Sequence, residues 1–162
     1  MLAVLKKNES GYIARFERSL NHSATEVWEA LTENGKLRKW MPNLQVEDLS
    51  KGGVIKFNMN DGTGSSFDIK IRDYKQNKVL EYEWGDGWVN FEISPKSDGC
   101  ELVLNEFIPT VNDHTPKDLA GWHVCLDLLV HLLRGHYYDE FPKEDWEKWY
   151  EKYVVSVDQI KE

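Results

Sequence analysis

Apolar and polar residues alternate with a period of two over most of residues 11–107, and the spacing turns helical beyond Thr115. Over 11–20, Tyr12, Ala14, Phe16 and Leu20 share one parity, which predicts a half-buried strand, with 2–5 as a short strand leading into it. Ser23-Ala24-Thr25-Glu26 supplies a capping-box pattern before Val27, Trp28 and Leu31, whose spacing predicts a helix of about two turns. Gly35 is expected to end it, and 37–40 to form another turn that Pro42 stops. Strands are expected at 45–48, 54–60, 65–72, 78–84, 88–94 and 101–107, and the short connections between them imply an antiparallel meander. Alternation gives the meander a covered face, running from Ile55 and Phe57 through Ile69, Tyr82 and Trp84 to Phe91. The opposite, wet face carries Lys56, Asp68, Lys70, Glu81 and Glu83.

The cover follows in the sequence. Thr115-Pro116-Lys117-Asp118 offers an N-cap, a proline at the first helical position and an acid in the first turn, and Gly135 offers a stop. Between them Leu119, Trp122, Leu126, Leu129 and Leu133 form an apolar row that Val124, Cys125, Leu128 and Leu132 widen, so this long helix is expected to be mostly buried. Its one polar line is His123, Asp127, His131 and Arg134. A last helix is expected from Pro142, with Trp146, Trp149, Tyr150, Tyr153 and Val157 on one face packed against the body.

The length of 162 residues, with 41% hydrophobic and 30% charged, suits one globular domain over 1–162 and excludes a disordered chain. A formal charge of −8 and the lack of a basic patch argue against nucleic acid as a partner. No apolar run reaches the roughly 20 residues of a membrane span, the N-terminus has no signal-peptide core, and two distant cysteines read as reduced core thiols, so a cytoplasmic location is expected. The aromatic content is high: seven Trp, seven Tyr and six Phe. Such rings either fill a core or line a cavity.

Pattern alone places Trp40, Phe57, Phe67, Ile69, Tyr82, Trp84, Phe91, Leu104, Trp122, Leu126 and Leu129 between sheet and long helix. They either interdigitate into a solid interior or wall a pocket for an apolar ligand. Glu106 shares the parity of Leu102 and Leu104. If its strand stays regular, the carboxyl points inward and must find a partner or keep a proton, which suits a ligand anchor or a general acid or base; if the strand frays before Pro109, Glu106 sits at a wet rim. His123, Asp127 and His131 lie at four-residue steps. They are either a solvent-facing line or a group in which Asp127 orients a histidine for base catalysis; Zn²⁺ binding is the third possibility. No metal or cofactor is assigned, since phosphate-binding loop, dinucleotide fingerprint and nucleophile elbow are all lacking.

The order of one long strand, two short helices, a long antiparallel meander and a long C-terminal helix is that of an α+β helix-grip fold. Tyr12–Leu20 (YIARFERSL), VWEALT at 27–32, LRKW at 37–40, Gly52-Gly53, LEYEW at 80–84, 102–104 and GWHVCLD at 121–127 resemble the bacterial SRPBCC, or START-like, superfamily. Within it they are similar to the branch named after the activator of the ninety-kilodalton heat-shock chaperone's ATPase. The resemblance implies a curved sheet gripping the long helix around a cavity for a hydrophobic or aromatic small molecule. It also implies chaperone contact; in the eukaryotic activators a separate N-terminal domain makes much of that contact, and here the first strand is expected almost at Met1, leaving no room for it. The expected function is a non-enzymatic small-molecule carrier or sensor. The alternatives are a cyclase- or dehydratase-type enzyme using Glu106, or less readily His123, and a co-chaperone.

Overall fold

A computed structural model of the chain describes residues 1–138 and 140–161. The elements follow in the order β1 (Val4–Lys7), β2 (Tyr12–Leu20), α1 (Ala24–Thr32), α2 (Asn34–Trp40), β3 (Leu44–Asp48), β4 (Val54–Asn58), β5 (Ser66–Lys75), β6 (Val79–Trp84), β7 (Gly87–Lys96), β8 (Gly99–Ile108), α3 (Thr115–Leu133) and α4 (Lys143–Lys161). The eight strands form one curved antiparallel sheet in the order β1-β2-β8-β7-β6-β5-β4-β3. The meander from β3 to β8 thus ends by pairing back onto β2, and register shifts at Val46/Asp48 and Ile71/Asp73 bend it.

Ser23 caps α1 by accepting the Glu26 N–H, 3.1 Å away. The helix ends at Thr32, one turn earlier than Gly35 predicts, because Glu33 is extended and its N–H closes on the Glu29 carbonyl. Gly35 lies inside α2 instead. At the start of α3 the cap is His114, and Thr115 is already helical, with its Oγ1 accepting from the Asn112 N–H. Gly135 stops α3 as expected, at a φ of 85° that suits glycine.

The inward face of β2, β6, β7 and β8 packs with the buried face of α3 in one apolar core, to which α1 and α2 add Trp28, Leu31, Leu37 and Trp40. The helix α4 covers α3 from the other side through Tyr153 and Val157, both buried. No described helix is long and apolar enough to cross a membrane. The two cysteines are buried and unpaired.

Candidate functional site

Glu106 stands on β8 between Ala14 of β2 and Val89 of β7. The strand remains regular past it, since Ile108 still pairs with Tyr12. Glu106 is therefore turned into the core and only 3% exposed, and the wet-rim alternative does not hold. Its Oε1 has no hydrogen-bond partner among the described residues. Burial pushes this carboxyl well above the usual carboxylate range, and Asp118 raises it further by a hydrogen bond that favours the protonated acid and by its charge.

Asp118 reaches this position from the first turn of α3, where a helix favours negative charge. The Trp84 indole donates to its Oδ1 across 2.9 Å. Trp84 is the last residue of β6, and the turn that follows is tight: Gly85 takes the positive φ that a two-residue hairpin of this kind needs at its first position. Gly87 begins β7 so close to β8 that a Cβ would collide with the Phe107 carbonyl oxygen. These constraints leave a cavity of ≈190 Å³ between the β6–β7 turn, the end of β8 and the start of α3, lined by Trp84, Asp86, Glu106, Ile108, Pro109, Asn112, His114 and Asp118 among others.

Behind this cavity the rings meet. Trp84 and Trp122 have centroids 4.9 Å apart, Trp122 and Phe91 5.9 Å, Phe91 and Trp40 6.5 Å, and Tyr82 lies 6.1 Å from Phe91. Phe57 continues the chain of rings from Trp84 at 5.9 Å and stacks on Phe67. Ile69, Leu104, Leu126 and Leu129 are buried in the same layer. Phe67 has the inward parity but is 53% exposed, because the β4–β5 hairpin extends beyond the cover of the helices. Trp122 Nε1 is buried without a partner, the second unsatisfied polar atom of this layer beside Glu106 Oε1. A second cavity, of ≈310 Å³, opens toward the other end of α3 among Trp40, Met41, Cys125, Leu128, Tyr138 and Phe141. There the Trp40 indole is already satisfied by the Ala30 carbonyl.

His123 does not face solvent. It is 1% exposed, stacked on Trp149 with ring centroids 3.9 Å apart, and its Nδ1 lies 2.7 Å from Tyr153 Oη. The Ala3 N–H donates to the same oxygen, so the phenol proton is directed to Nδ1 and Nε2 is left toward Asp127 Oδ2 at 4.0 Å. Burial and nearby positive charges push the imidazole down to about 3 and keep it neutral. This is a structural tie between the N-terminus, α3 and α4, separate from the cavity. No group of three or more His, Cys, Asp and Glu side chains among the described residues has a metal-holding arrangement.

Asp118 is the site residue that sequence reasoning passed over, as it reads there only as a first-turn acid. Its position four residues before Trp122, on the buried face, is the signal that marks it.

An open, curved eight-stranded antiparallel sheet, in which β2 and β8 pair at long range, gripping α3 is the helix-grip architecture. Residues 21–134 match the family described as Activator of Hsp90 ATPase homolog 1-like protein, and the chain belongs to that family. Its fold is similar to that of the conserved protein of unknown function EF2215 from Enterococcus faecalis, with a TM-score of 0.84 and 23% identity over 98% of this chain and 91% of that one. CalU16 from Micromonospora echinospora superposes with a TM-score of 0.70 and 20% identity over 96% and 95% of the two chains. DynU16, a protein in the dynemicin biosynthetic locus, gives 0.64 and 20% over 78% and 50%. At these identities the likeness is one of fold. No curated protein matches the sequence.

Proposed function

We propose that the protein binds a small molecule between its sheet and α3, with Glu106 and Asp118 holding the polar end of the ligand and the Trp84 ring, backed by Trp122, its apolar part. The observation that carries this reading is a buried carboxyl, Glu106, with an unpartnered oxygen at the inner end of a cavity. A polar group buried in that way costs about 1–3 kcal/mol of stability, a cost that an incoming hydrogen-bond partner removes. Rings in mutual contact limit the guest to a head group at the cavity plus what slides along the Trp84 face.

Native mass spectrometry of the protein incubated with a metabolite extract tests this. The wild type is expected to retain a small molecule that Glu106→Gln and Asp118→Asn retain about tenfold less well, roughly the loss of one charge-assisted hydrogen bond. A wild-type protein that retains nothing contradicts the reading.

A second reading has its own observation. A proton kept on Glu106 beside the Asp118 carboxylate is the arrangement of a general acid, which fits a cyclase- or dehydratase-type step in the same cavity. Consumption of the retained compound by wild type and not by Glu106→Gln distinguishes this from carriage.

A further inference from the structure

Three acids from three separate elements line the ≈190 Å³ cavity: Asp86 from the β6–β7 turn, Glu106 from β8 and Asp118 from α3. Among the described residues no lysine or arginine lines it, and His114 is the remaining titratable group on its wall. Glu106 is all but fully buried, carries an unpartnered oxygen, and faces only apolar residues from its flanking strands, Ala14 and Val89. On α3 the facing charge is Asp118, with the Cys125 thiol two turns further along; burial, chiefly, pushes that thiol up to about 12, so it stays uncharged. The cavity wall includes the Trp84 ring, which is only half-buried.

Resting on the small-molecule reading above, we infer that the ligand is an organic cation, an aromatic or aliphatic ammonium whose charged head sits between Glu106 and Asp118. The chemistry is complementary on three counts. An ammonium carries up to three donors and no acceptor, so it satisfies Glu106 Oε1 and shares Asp118 with the Trp84 N–H. Its charge offsets the repulsion between two carboxylates that otherwise share a proton. Its adjoining carbons pack on an indole face, which favours a cation further. An anion meets three acids and no base, and a neutral alcohol forms the same bonds without charge assistance.

The ligand's arrival also moves a proton. In the free protein Glu106 holds one; with an ammonium bound, Glu106 ionises and releases it to solvent, the amine remaining protonated throughout. Affinity for the cation therefore rises with pH as Glu106 ionises more readily, until the amine itself begins to lose its proton.

Isothermal titration with three probes that share a phenylethyl group, 2-phenylethylammonium, 2-phenylethanol and 3-phenylpropionate, tests the inference in buffers of different ionisation enthalpy between pH 5 and 8. The cation is expected to bind at least about tenfold more tightly than the alcohol, with no measurable binding of the anion. Proton release on binding is expected in the wild type and is lost in Glu106→Gln, while Asp118→Asn weakens the cation about tenfold and leaves the alcohol's affinity within a few-fold. Circular dichroism verifies that each variant is folded, and if Asp118→Asn does not fold, Glu106→Gln alone carries the proton measurement. Equal or tighter binding of the alcohol or the anion overturns the cation assignment and leaves the binding reading standing. So does failure of all three probes when native mass spectrometry still shows a retained compound. Cation binding with no proton release overturns the role given to Glu106.

Discussion

Glu106 keeps its proton in the folded chain and loses it readily in the unfolded one, so stability depends on pH in a direction opposite to that of most carboxylates. Its unfolded value is near 4.5 and its folded value lies well above. Between the two, the folded state binds more protons, and stability falls as pH rises. In Glu106→Gln this decline is absent. Urea midpoints measured from pH 4.5 upward are expected to fall more steeply for wild type than for the variant; parallel profiles contradict the burial assigned to Glu106. His123 acts oppositely, as its folded value of about 3 lies below the unfolded 6.5 and stability is lost as pH drops through that window. The two effects overlap above pH 4.5, and the difference between variant and wild type isolates the carboxyl. At Gly87, addition of a methyl meets the Phe107 carbonyl oxygen. Gly87→Ala is expected to lower stability by about 1–3 kcal/mol as β7 moves off β8, read in a chemical denaturation curve.

Among the elements, α4 is tied to the body at one buried polar point, beside the exposed bond from the Trp146 indole N–H to the Lys117 carbonyl at 3.3 Å. Tyr153 Oη receives the Ala3 N–H at 3.0 Å and sits 2.7 Å from His123 Nδ1. Tyr153→Phe preserves the ring and leaves two buried groups without a partner, for a loss of about 1–3 kcal/mol. Hydrogen exchange is expected to speed up in α4 and at residues 1–7 together, and acceleration of only one of them contradicts a shared tie. The same cluster shows where periodicity misleads. The steps from His123 to Asp127 to His131 read as a solvent line because a buried helix needs an exposed edge, but α4 supplies a second cover and takes the first of them into the interior. That partner lies thirty residues away in sequence, and no spacing within α3 reports it.

At the scale of the whole molecule, strand parity was the readable signal. It places Ile55, Ile69, Tyr82, Phe91 and Leu104 on the inward face, where all five are buried. The pairing of β2 with β8 was not legible from spacing, since residues 12–20 and 100–108 are far apart in the chain. That long-range pairing also decides Glu106: β2 runs the full length of β8 and holds it regular to Ile108, which local reading near Pro109 left open. The end of α1 was misread because a glycine is only a frequent stop, and an extended Glu33 ended the helix first. Whether rings of inward parity touch or stand apart depends on side-chain rotamers and was not legible at all. Trp84, Phe91 and Trp122 do touch, which confines the proposed guest to the Glu106 end.

The location of that guest is the central claim, and the chain's seven Trp make it measurable. Each indole N–H gives its own signal in a ¹⁵N correlation spectrum, assigned by single Trp→Phe replacement. Addition of 2-phenylethylammonium and 2-phenylethanol in turn is expected to shift the Trp84 and Trp122 signals and to leave those of Trp146 and Trp149 on α4 in place. A shift centred on Trp40, at the opposite cavity, or saturating probe with no movement of Trp84, contradicts binding between Glu106 and Asp118.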